Sequence, residues 1–226
     1  MENKIIRGGV KMSQQTGQGV RTVWGWLNRE IDRLGKGIVR TGISANLVSI
    51  FGFVIGIFAI NFLAMQLYFS ALICILINRF CDALDGAIAR HSETTGFGVF
   101  LDATLDYTFY AGVIFGFALA NPLQNAVPAA FLLFGFAAAA CAMLAYAVIA
   151  YKYDNRPQVK LEQSPFYLGG IAQGFETTVA LIILCIMPGW FLQIAIVLGV
   201  LSLVKAFSVM ATAYYNFVIA VKRSKE

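Results

Sequence analysis

Long apolar stretches separated by short polar breaks occupy the chain from about Leu47 to Val221. One helix of about 20 apolar residues crosses the hydrocarbon core of a bilayer, so this region has room for about six spans. Alternation with a period of two residues is absent, which favours helices over a closed barrel. The pattern therefore predicts an all-α, polytopic membrane protein with six transmembrane helices.

The polar breaks place the individual spans. The predicted spans cover residues 47–64, 69–90, 98–120, 129–151 and 168–186, with a sixth that follows an MPGW turn and ends at Val221. The segment NPLQNAVP before the fourth span predicts a loop, because it is rich in Pro and Asn. In the third span, Gly112 and Gly116 allow a neighbouring helix to approach closely, which is typical of membrane helix packing.

Apolar residues also recur at helical spacing ahead of the first span, with Arg and Lys between them. They predict an amphipathic helix over residues 21–40 in the membrane interface, with Trp24 and Trp26 at headgroup level. A soluble amphipathic helix packed on the cytoplasmic loops is the alternative. The expected organisation is a cytoplasmic arm and amphipathic helix over residues 1–43, then a transmembrane domain over residues 44–226 that ends in a short cytoplasmic tail.

Positive charge is concentrated at the start of the chain. The first 40 residues contain eight Lys or Arg and three acidic residues, within a chain of net charge +5. Attraction to an anionic cytoplasmic leaflet explains such an arm beside a membrane domain, and binding to nucleic acid is not expected. The other basic segments, around Arg90, in the loop with Lys152 and Arg156, and in the tail, fall on the same side of the predicted bundle. The positive-inside rule therefore predicts that both termini are cytoplasmic.

A cluster of acids interrupts the apolar region. Four of the six Asp residues of the chain lie here: Asp82, Asp85, Asp102 and Asp106. A carboxylate inside a membrane segment costs about 2.5–3.5 kcal/mol on insertion scales, so the cluster needs a compensating partner. The spacings i, i+3 and i, i+4 place each pair on one face of its helix, and a connector of seven residues makes the two helices antiparallel neighbours. The carboxylates are therefore expected to converge near the cytoplasmic face.

A bound cation is the simplest such partner. Carboxylate oxygens alone suit Mg²⁺, Mn²⁺ or Ca²⁺, and two ions ~3.5–4 Å apart can clamp a phosphate between nucleophile and leaving group. An intramembrane salt-bridge network is the alternative, for which only Arg79 and Arg90 are near enough in the sequence. The four Cys residues form no CxxC or Cys/His pairing, so neither a disulfide nor a zinc site is expected.

The residues around the acids also carry a family resemblance. The pattern D-x-x-D-G-x-x-A-R begins at Asp82, and G-x-x-x-D-x-x-x-D begins at Gly98. Together they resemble the signature of the CDP-alcohol phosphatidyltransferases, whose six-span architecture and N-terminal amphipathic helix also match. The resemblance implies four metal ligands: Asp82, Asp85, Asp102 and Asp106. It implies that Asp106 is also the general base. It implies contacts to the CDP portion of the donor from Asn46, Gly86, Ala89, Arg90, Thr95 and Gly98.

The implied function is a step of phospholipid biosynthesis. A phosphatidyl group passes from CDP-diacylglycerol, or a similar CDP-lipid, to the hydroxyl of a small alcohol, and CMP is released. The implied cofactor is Mg²⁺ or Mn²⁺, as two ions, and residues 44–226 become the catalytic domain. The resemblance further implies a homodimer in contact with membrane lipid, placed in a bacterial inner membrane with its active site at the cytoplasmic face.

The acceptor stays open. The basic residues Lys152 and Arg156 could hold an anionic acceptor such as a sugar phosphate or polyol phosphate, or could simply follow the positive-inside rule. Glu176 in the fifth span could bind a hydroxyl or amine acceptor, or could make a polar contact between helices. Many members that use phosphorylated acceptors have a basic residue after the last Asp of the signature, where this chain has Tyr107.

Two other classes of protein compete with this interpretation. An intramembrane prenyltransferase also binds a diphosphate through Asp-rich motifs and Mg²⁺, but it normally has more spans and differently distributed motifs. A transporter of cations or lipids would distribute its acids along the depth of the membrane, whereas the four acids here gather near one face beside Arg90.

Overall fold

The computed structural model describes residues 29–92, 95–152 and 174–219, and within these ranges every regular element is helical. The helices are α1 (residues 29–39), α2 (Ala45–Ala64), α3 (Tyr68–His91), α4 (Gly96–Ala120), α5 (Pro122–Lys152), α6 (Gly174–Ile186) and α7 (Phe191–Tyr214). A 3₁₀ turn, Pro188–Trp190, precedes α7, and a π-helical turn, Tyr215–Ile219, follows it. The predicted all-α class is therefore confirmed.

Four stretches of these helices are long and apolar enough to cross a membrane: Ala45–Ala64, Gly96–Ala120, Pro122–Ala150 and Pro188–Ile219. The ends of α2, α3 and α4 lie within two residues of the predicted first three spans. Helix α3 has 24 residues but is charged from Arg79 onward, and the described part of α6 has 13. The assignment of α3 and α6 as the remaining two spans therefore stays a prediction.

The predicted loop ahead of the fourth span is wrong. Helix α5 begins at Pro122, seven residues before the expected start at position 129. Proline suits the first turn of a helix because the missing N–H has no intrahelical partner there. Asn121 precedes it, and its carbonyl accepts hydrogen bonds from the backbone N–H groups of Gln124 and Asn125. The Pro and Asn residues thus mark a helix start rather than a loop.

The chain divides into two compact units, the first formed by residues up to Val54 and by Ile77–Asp106. In this unit α1 packs on α3 at Gly35, where a Cβ would stand 2.7 Å from the Ala87 Cβ. Ile31 is buried on the same face of α1, whereas Leu34 is exposed. The described part of the amphipathic helix thus packs on protein through one face. Its predicted interfacial placement stays a prediction, and Trp24 and Trp26 lie outside the described residues.

The second unit comprises Ile55–Leu76 and the chain from Tyr107 onward. Its helices pack closely at glycines. A Cβ at Gly116 would stand 3.0 Å from the Leu63 Cβ, and one at Gly135 would stand 2.7 Å from the Gly199 carbonyl oxygen. Stacked aromatic rings, among them Phe117 and Phe191 with centroids 5.2 Å apart, fill the interior. The small residues of the third span therefore serve internal packing, which the sequence allowed.

Candidate functional site

Three of the four predicted aspartates come together in the first unit. One carboxylate oxygen each from Asp82, Asp85 and Asp102 lies within 4.8 Å of the other two. The side chains differ in environment, because Asp85 is only 5% exposed and Asp102 is exposed. The i, i+3 spacing on α3 supplies two of these groups, and the first half of α4 supplies the third. We refer to them as the three-aspartate cluster.

The three-aspartate cluster fits a divalent metal ion. Oxygens bound to one Mg²⁺ at about 2.1 Å stand roughly 3–4 Å apart, so small side-chain rotations suffice to bring these oxygens into range. The donor set contains only carboxylate oxygens, which hard cations such as Mg²⁺ and Mn²⁺ prefer. Within the described residues, this is the group of acidic, Cys or His side chains whose spacing suits a metal.

The fourth aspartate, Asp106, is paired with Arg79. The Arg79 Nη1 atom lies 2.6 Å from Asp106 Oδ1 and 3.7 Å from Asp82 Oδ2. The Arg79 side chain is 11% exposed, and that of Asp106 is 32% exposed. Three of the four expected metal ligands therefore cluster, and Asp106, which was expected to complete the site and to act as the base, is held by an arginine.

A small cavity of about 20 Å³ is lined by all four aspartates, Arg79, Asn78, Ser49 and neighbours on α2 and α4. A water molecule needs about 10–15 Å³ measured in this way, so the cavity has room for one or two particles of the size of a water or an ion. We call it the acidic cavity. Its contents are thus limited to small species and the reacting groups themselves.

A second cavity of about 350 Å³ opens between the N-terminal end of α2 and the adjoining ends of α3 and α4. Five of the six residues expected to contact CDP line it: Asn46, Gly86, Ala89, Thr95 and Gly98. The two cavities share Ser49, Asp85 and Asp102. We call the larger one the neutral cavity, because apart from Asp85 and Asp102 its lining is uncharged. Ligand sites commonly measure about 300–1,000 Å³, so the neutral cavity has the size for part of a nucleotide.

The start of α4 shapes the neutral cavity. The Thr95 hydroxyl accepts a hydrogen bond from the Gly98 N–H at 3.0 Å, which makes Thr95 an N-cap. A Cβ at Gly98 would meet Asn46 Oδ1 at 3.0 Å and Thr95 Oγ1 at 3.2 Å. Glycine at this position therefore lets the Asn46 amide lie against the helix end, where backbone N–H groups favour anions.

Arg90, the sixth expected CDP contact, is not among the residues that line the neutral cavity, but it lies beside Gly86, which does line it. Its Nε donates to Asp32 Oδ1 at 3.4 Å, and Nη1 is 3.7 Å from the position of a Cβ on Gly86. His91 Nε2 contacts the other oxygen of Asp32 at 2.9 Å. The hydrogen bond with His91 lowers the pKa of Asp32 below its usual value, and the charges of His91 and Arg90 act in the same direction.

Lys152 and Glu176, two of the three suggested acceptor residues, belong to the second unit. Lys152 is exposed at the end of α5, Glu176 is exposed in the first turn of α6, and Arg156 is outside the described residues. Glu176 interacts electrostatically with Lys205, a half-buried residue of α7 that was not predicted to have a role. A lysine inside an apolar helix is a signal that could have identified it.

Asn78 and Ser49 are the other residues that sequence analysis missed. Asn78 is 4% exposed and lies directly before Arg79 on α3, while Ser49 lines both cavities. A buried amide needs hydrogen-bond partners, so an Asn next to an Arg in an apolar helix was a usable signal. No such signal marked Ser49, because a single Ser in an apolar helix is common.

Comparisons with known proteins identify the family. Residues 43–219 match the family described as CDP-alcohol phosphatidyltransferase. The chain is 41% identical over 175 residues to the inner membrane protein YnjF of Escherichia coli (strain K12), across 77% of this chain and 85% of that protein. It is 37% identical over 94 residues to the archaetidylinositol phosphate synthase of Pyrococcus horikoshii, across 41% of this chain and 50% of that protein.

A solved structure shares the fold. Phosphatidylinositol phosphate synthase (PgsA1) of Mycobacterium tuberculosis, solved with CDP-DAG bound, aligns with a TM-score of 0.65 and 19% sequence identity. The alignment covers 83% of this chain and 95% of that one. The family match extends over α2 to α7, and with it the chain belongs to the CDP-alcohol phosphatidyltransferase family of membrane enzymes.

Proposed function

We propose that this enzyme transfers a phosphatidyl group from CDP-diacylglycerol, or a similar CDP-lipid, to the hydroxyl of a small alcohol and releases CMP. The observation that carries the proposal is the three-aspartate cluster, which shares a wall with a neutral cavity of about 350 Å³. Family membership favours this reaction over the prenyltransferase and transporter alternatives. The PgsA1 structure, solved with CDP-DAG bound, supports the choice of donor.

The proposed roles follow from position. Asp82, Asp85 and Asp102 would hold Mg²⁺ or Mn²⁺, and Asp106 would join them if a second ion bound. Ions held there would supply positive charge against the donor diphosphate and against the charge that develops on departing CMP. Asp106 is the proton acceptor, because the other three carboxylates would be occupied by the metal and Arg79 has no basic atom available at neutral pH.

The transfer step is a substitution at phosphorus. The hydroxyl oxygen of the acceptor bonds to the phosphatidyl phosphorus, and the bond from that phosphorus to the bridging oxygen of the diphosphate breaks. The bridging oxygen leaves with its electron pair as part of CMP, and the hydroxyl proton passes to Asp106. Positioning and charge neutralisation supply most of the catalysis in such transfers.

The neutral cavity is proposed to bind the CDP portion of the donor. Asn46, Thr95 and Gly98 surround the start of α4, and Gly86 and Ala89 keep one wall free of bulk. Arg90 lies beside Gly86 and would exchange its contact with Asp32 for the donor diphosphate. The acyl chains of the donor remain in the bilayer.

The membrane setting is proposed from the sequence and the family. The distribution of Lys and Arg supports cytoplasmic termini and an active site at the cytoplasmic face of a bacterial inner membrane. Similarity to a protein named as an inner membrane protein supports the location. A homodimer is expected from the family, and the mass of the detergent-solubilised protein, measured by light scattering, tests it.

The acceptor is proposed to be a small alcohol that carries either a phosphate group or a further hydroxyl or amine group. Lys152 and Arg156 support an anionic acceptor, and the relative from Pyrococcus horikoshii is named as a synthase of an inositol phosphate lipid. Glu176 supports an amine-bearing acceptor, although its interaction with Lys205 also fits a structural contact. The variants Lys152→Gln and Glu176→Gln distinguish the two, because each raises the acceptor KM only if its side chain binds that acceptor.

An acceptor screen tests the proposed reaction directly. The purified chain in lipid nanodiscs is given CDP-diacylglycerol labelled in the cytidine, Mg²⁺ or Mn²⁺, and one acceptor at a time. The acceptors are glycerol 3-phosphate, inositol, inositol phosphate, serine, choline and ethanolamine. We expect CMP release that depends on both metal and acceptor, with the Asp106→Asn chain as the matched inactive control. A folded sample that releases no CMP with any acceptor and any CDP-lipid would contradict the proposal.

A further inference from the structure

Arg79 is a positive charge built into the acidic cavity. Its Nη1 atom is 2.6 Å from Asp106 Oδ1 and 3.7 Å from Asp82 Oδ2, and the side chain is 11% exposed. A guanidinium remains charged at any pH at which the protein is folded and presents a rigid, planar set of donors. It therefore neutralises part of the carboxylate charge before any metal binds.

Asn78 fixes the orientation of that guanidinium. The Asn78 Oδ1 atom accepts hydrogen bonds from Arg79 Nε at 2.9 Å and from Nη2 at 2.6 Å. The Asn78 Nδ2 atom donates to the Gly52 carbonyl oxygen on α2 at 2.8 Å. Since Asn78 is 4% exposed, these contacts are shielded from water and order the arginine. A relay from α2 through Asn78 thus aims Arg79 at Asp106.

The consequence is a division of the four aspartates. Asp82, Asp85 and Asp102 form the three-aspartate cluster, and Asp106 is not part of that group. Three carboxylates suffice for one divalent ion that keeps several waters. A second ion needs Asp106, whose carboxylate is held by Arg79.

We propose that Arg79, aimed by Asn78, is a positioning residue that holds Asp106 apart from the three-aspartate cluster, so the chain binds one divalent ion alone and the second only with the donor. The inference deepens the proposed function and rests on it for the role of Asp106 as proton acceptor. The donor diphosphate brings the negative charge that offsets repulsion between Arg79 and the second ion. Asp106 thereby stays beside Arg79 until the donor, and with it the second ion, is in place.

Counting bound Mn²⁺ without donor tests the inference. Mn²⁺ is titrated into the detergent-solubilised full chain, and free ion is measured by electron paramagnetic resonance. We expect one tightly bound Mn²⁺ per wild-type chain and two per Arg79→Gln chain, with the second ion bound at least about tenfold more tightly than in the wild type, because a cation has been removed from close range. Arg90→Gln, which removes an exposed arginine of the same helix, is the matched control and is expected to bind one.

Kinetics separate positioning from other roles of Arg79. We expect Arg79→Gln to lower kcat by about 10²-fold with the donor KM within about threefold of the wild type, because the base is no longer aimed. Arg79→Lys keeps the positive charge but loses the planar set of guanidinium donors. Asn78→Ala keeps Arg79 but removes the hydrogen bonds that orient it. Both are expected to bind one Mn²⁺ and to lower kcat.

Several results would overturn the inference. A single Mn²⁺ bound to Arg79→Gln, or two bound to the wild type without donor, shows that Arg79 does not control the second ion. A rise in donor KM with unchanged kcat identifies Arg79 as a phosphate contact instead. If Arg79→Gln does not fold, an unchanged kcat in both Arg79→Lys and Asn78→Ala rejects the positioning role. A wild type that releases no CMP rejects the proposed function, while the Mn²⁺ counts still decide the control of the second ion.

Discussion

The acidic cavity and the neutral cavity share a wall but differ in size and charge. The acidic cavity measures about 20 Å³ and holds four aspartates and an arginine. The neutral cavity measures about 350 Å³ and is lined mainly by small or uncharged residues. The charged side chains therefore line mainly the acidic cavity, where only an ion or a reacting group fits. The neutral cavity has few charged side chains and room for a larger ligand. The difference suggests that bond breaking and donor recognition are separable functions of one site.

The largest expected effect comes from Asp106, which lines only the acidic cavity. Asp106→Asn should lower kcat by about 10²–10⁴-fold, because the amide cannot accept the hydroxyl proton, while donor affinity stays within about threefold. CMP release and binding of a labelled CDP-lipid measure the two quantities. Asp32→Asn is the control for the same chemical change at an exposed site. Full turnover of Asp106→Asn with every active acceptor would show that another group is the base.

The next largest effect is expected from substitution of Asp85, which lies between the two cavities. Asp85 is 5% exposed and lines both cavities. Loss of a group that only supports a metal ligand already costs about 10–100-fold in affinity, so Asp85→Asn should weaken Mn²⁺ binding at least as much. Turnover should recover in part at high metal concentration. An unchanged dependence on metal would remove Asp85 from the set of ligands.

A smaller effect is expected from the neutral cavity alone. In Gly98→Ala the new Cβ would stand 3.0 Å from Asn46 Oδ1, so the amide must move. Overpacking of this kind should raise the donor KM by about five- to tenfold with little change in kcat. Gly96→Ala is the matched control on the same turn of α4, because a Cβ there meets no atom of the described residues within 4 Å. Equal kinetics of the two variants would argue against donor binding beside Asn46.

The smallest effect is expected at the exposed contact of Asp32 with Arg90 and His91. Exposed ion pairs are weak and are screened by salt, so Asp32→Asn should lower the donor KM by at most about fivefold, and less at high salt. Because His91 lowers the pKa of Asp32, the contact stabilises the fold above the usual pKa of 3.8 and is lost as pH falls through the lower folded value. Thermal unfolding of wild type and variant between pH 7 and pH 3 measures this. A larger donor KM in the variant would contradict the proposed release of Arg90.

Spacing along single helices predicted much of the fold and the site. The i, i+3 pair on α3 and Asp102, in the second turn of α4, meet in the three-aspartate cluster, and five of the six proposed CDP contacts line one cavity. The ends of α2 and α4 followed from hydrophobicity, because polar residues begin within two residues of each end, and α3 ends at the short polar connector.

Contacts between helices could not be predicted from the sequence pattern. The pairing of Asp106 with Arg79 and the hydrogen bond from Asn78 to the Gly52 carbonyl of α2 each join two helices, and no spacing along α3 specifies them. The start of α5 at Pro122 was missed because Pro and Asn indicate both loops and helix starts. The acceptor residues cannot be ranked by spacing, since Lys152 and Glu176 lie on different helices.

The close approach of α1 to α3 constrains how this sequence can vary. A Cβ on Gly35 would stand 2.7 Å from that of Ala87 and 2.9 Å from the Ala87 carbonyl carbon. Glycine at position 87 would remove the first of these contacts but not the second, because the backbone of α3 stays in place. Position 35 should therefore remain glycine in a library selected for activity, whatever residue stands at position 87.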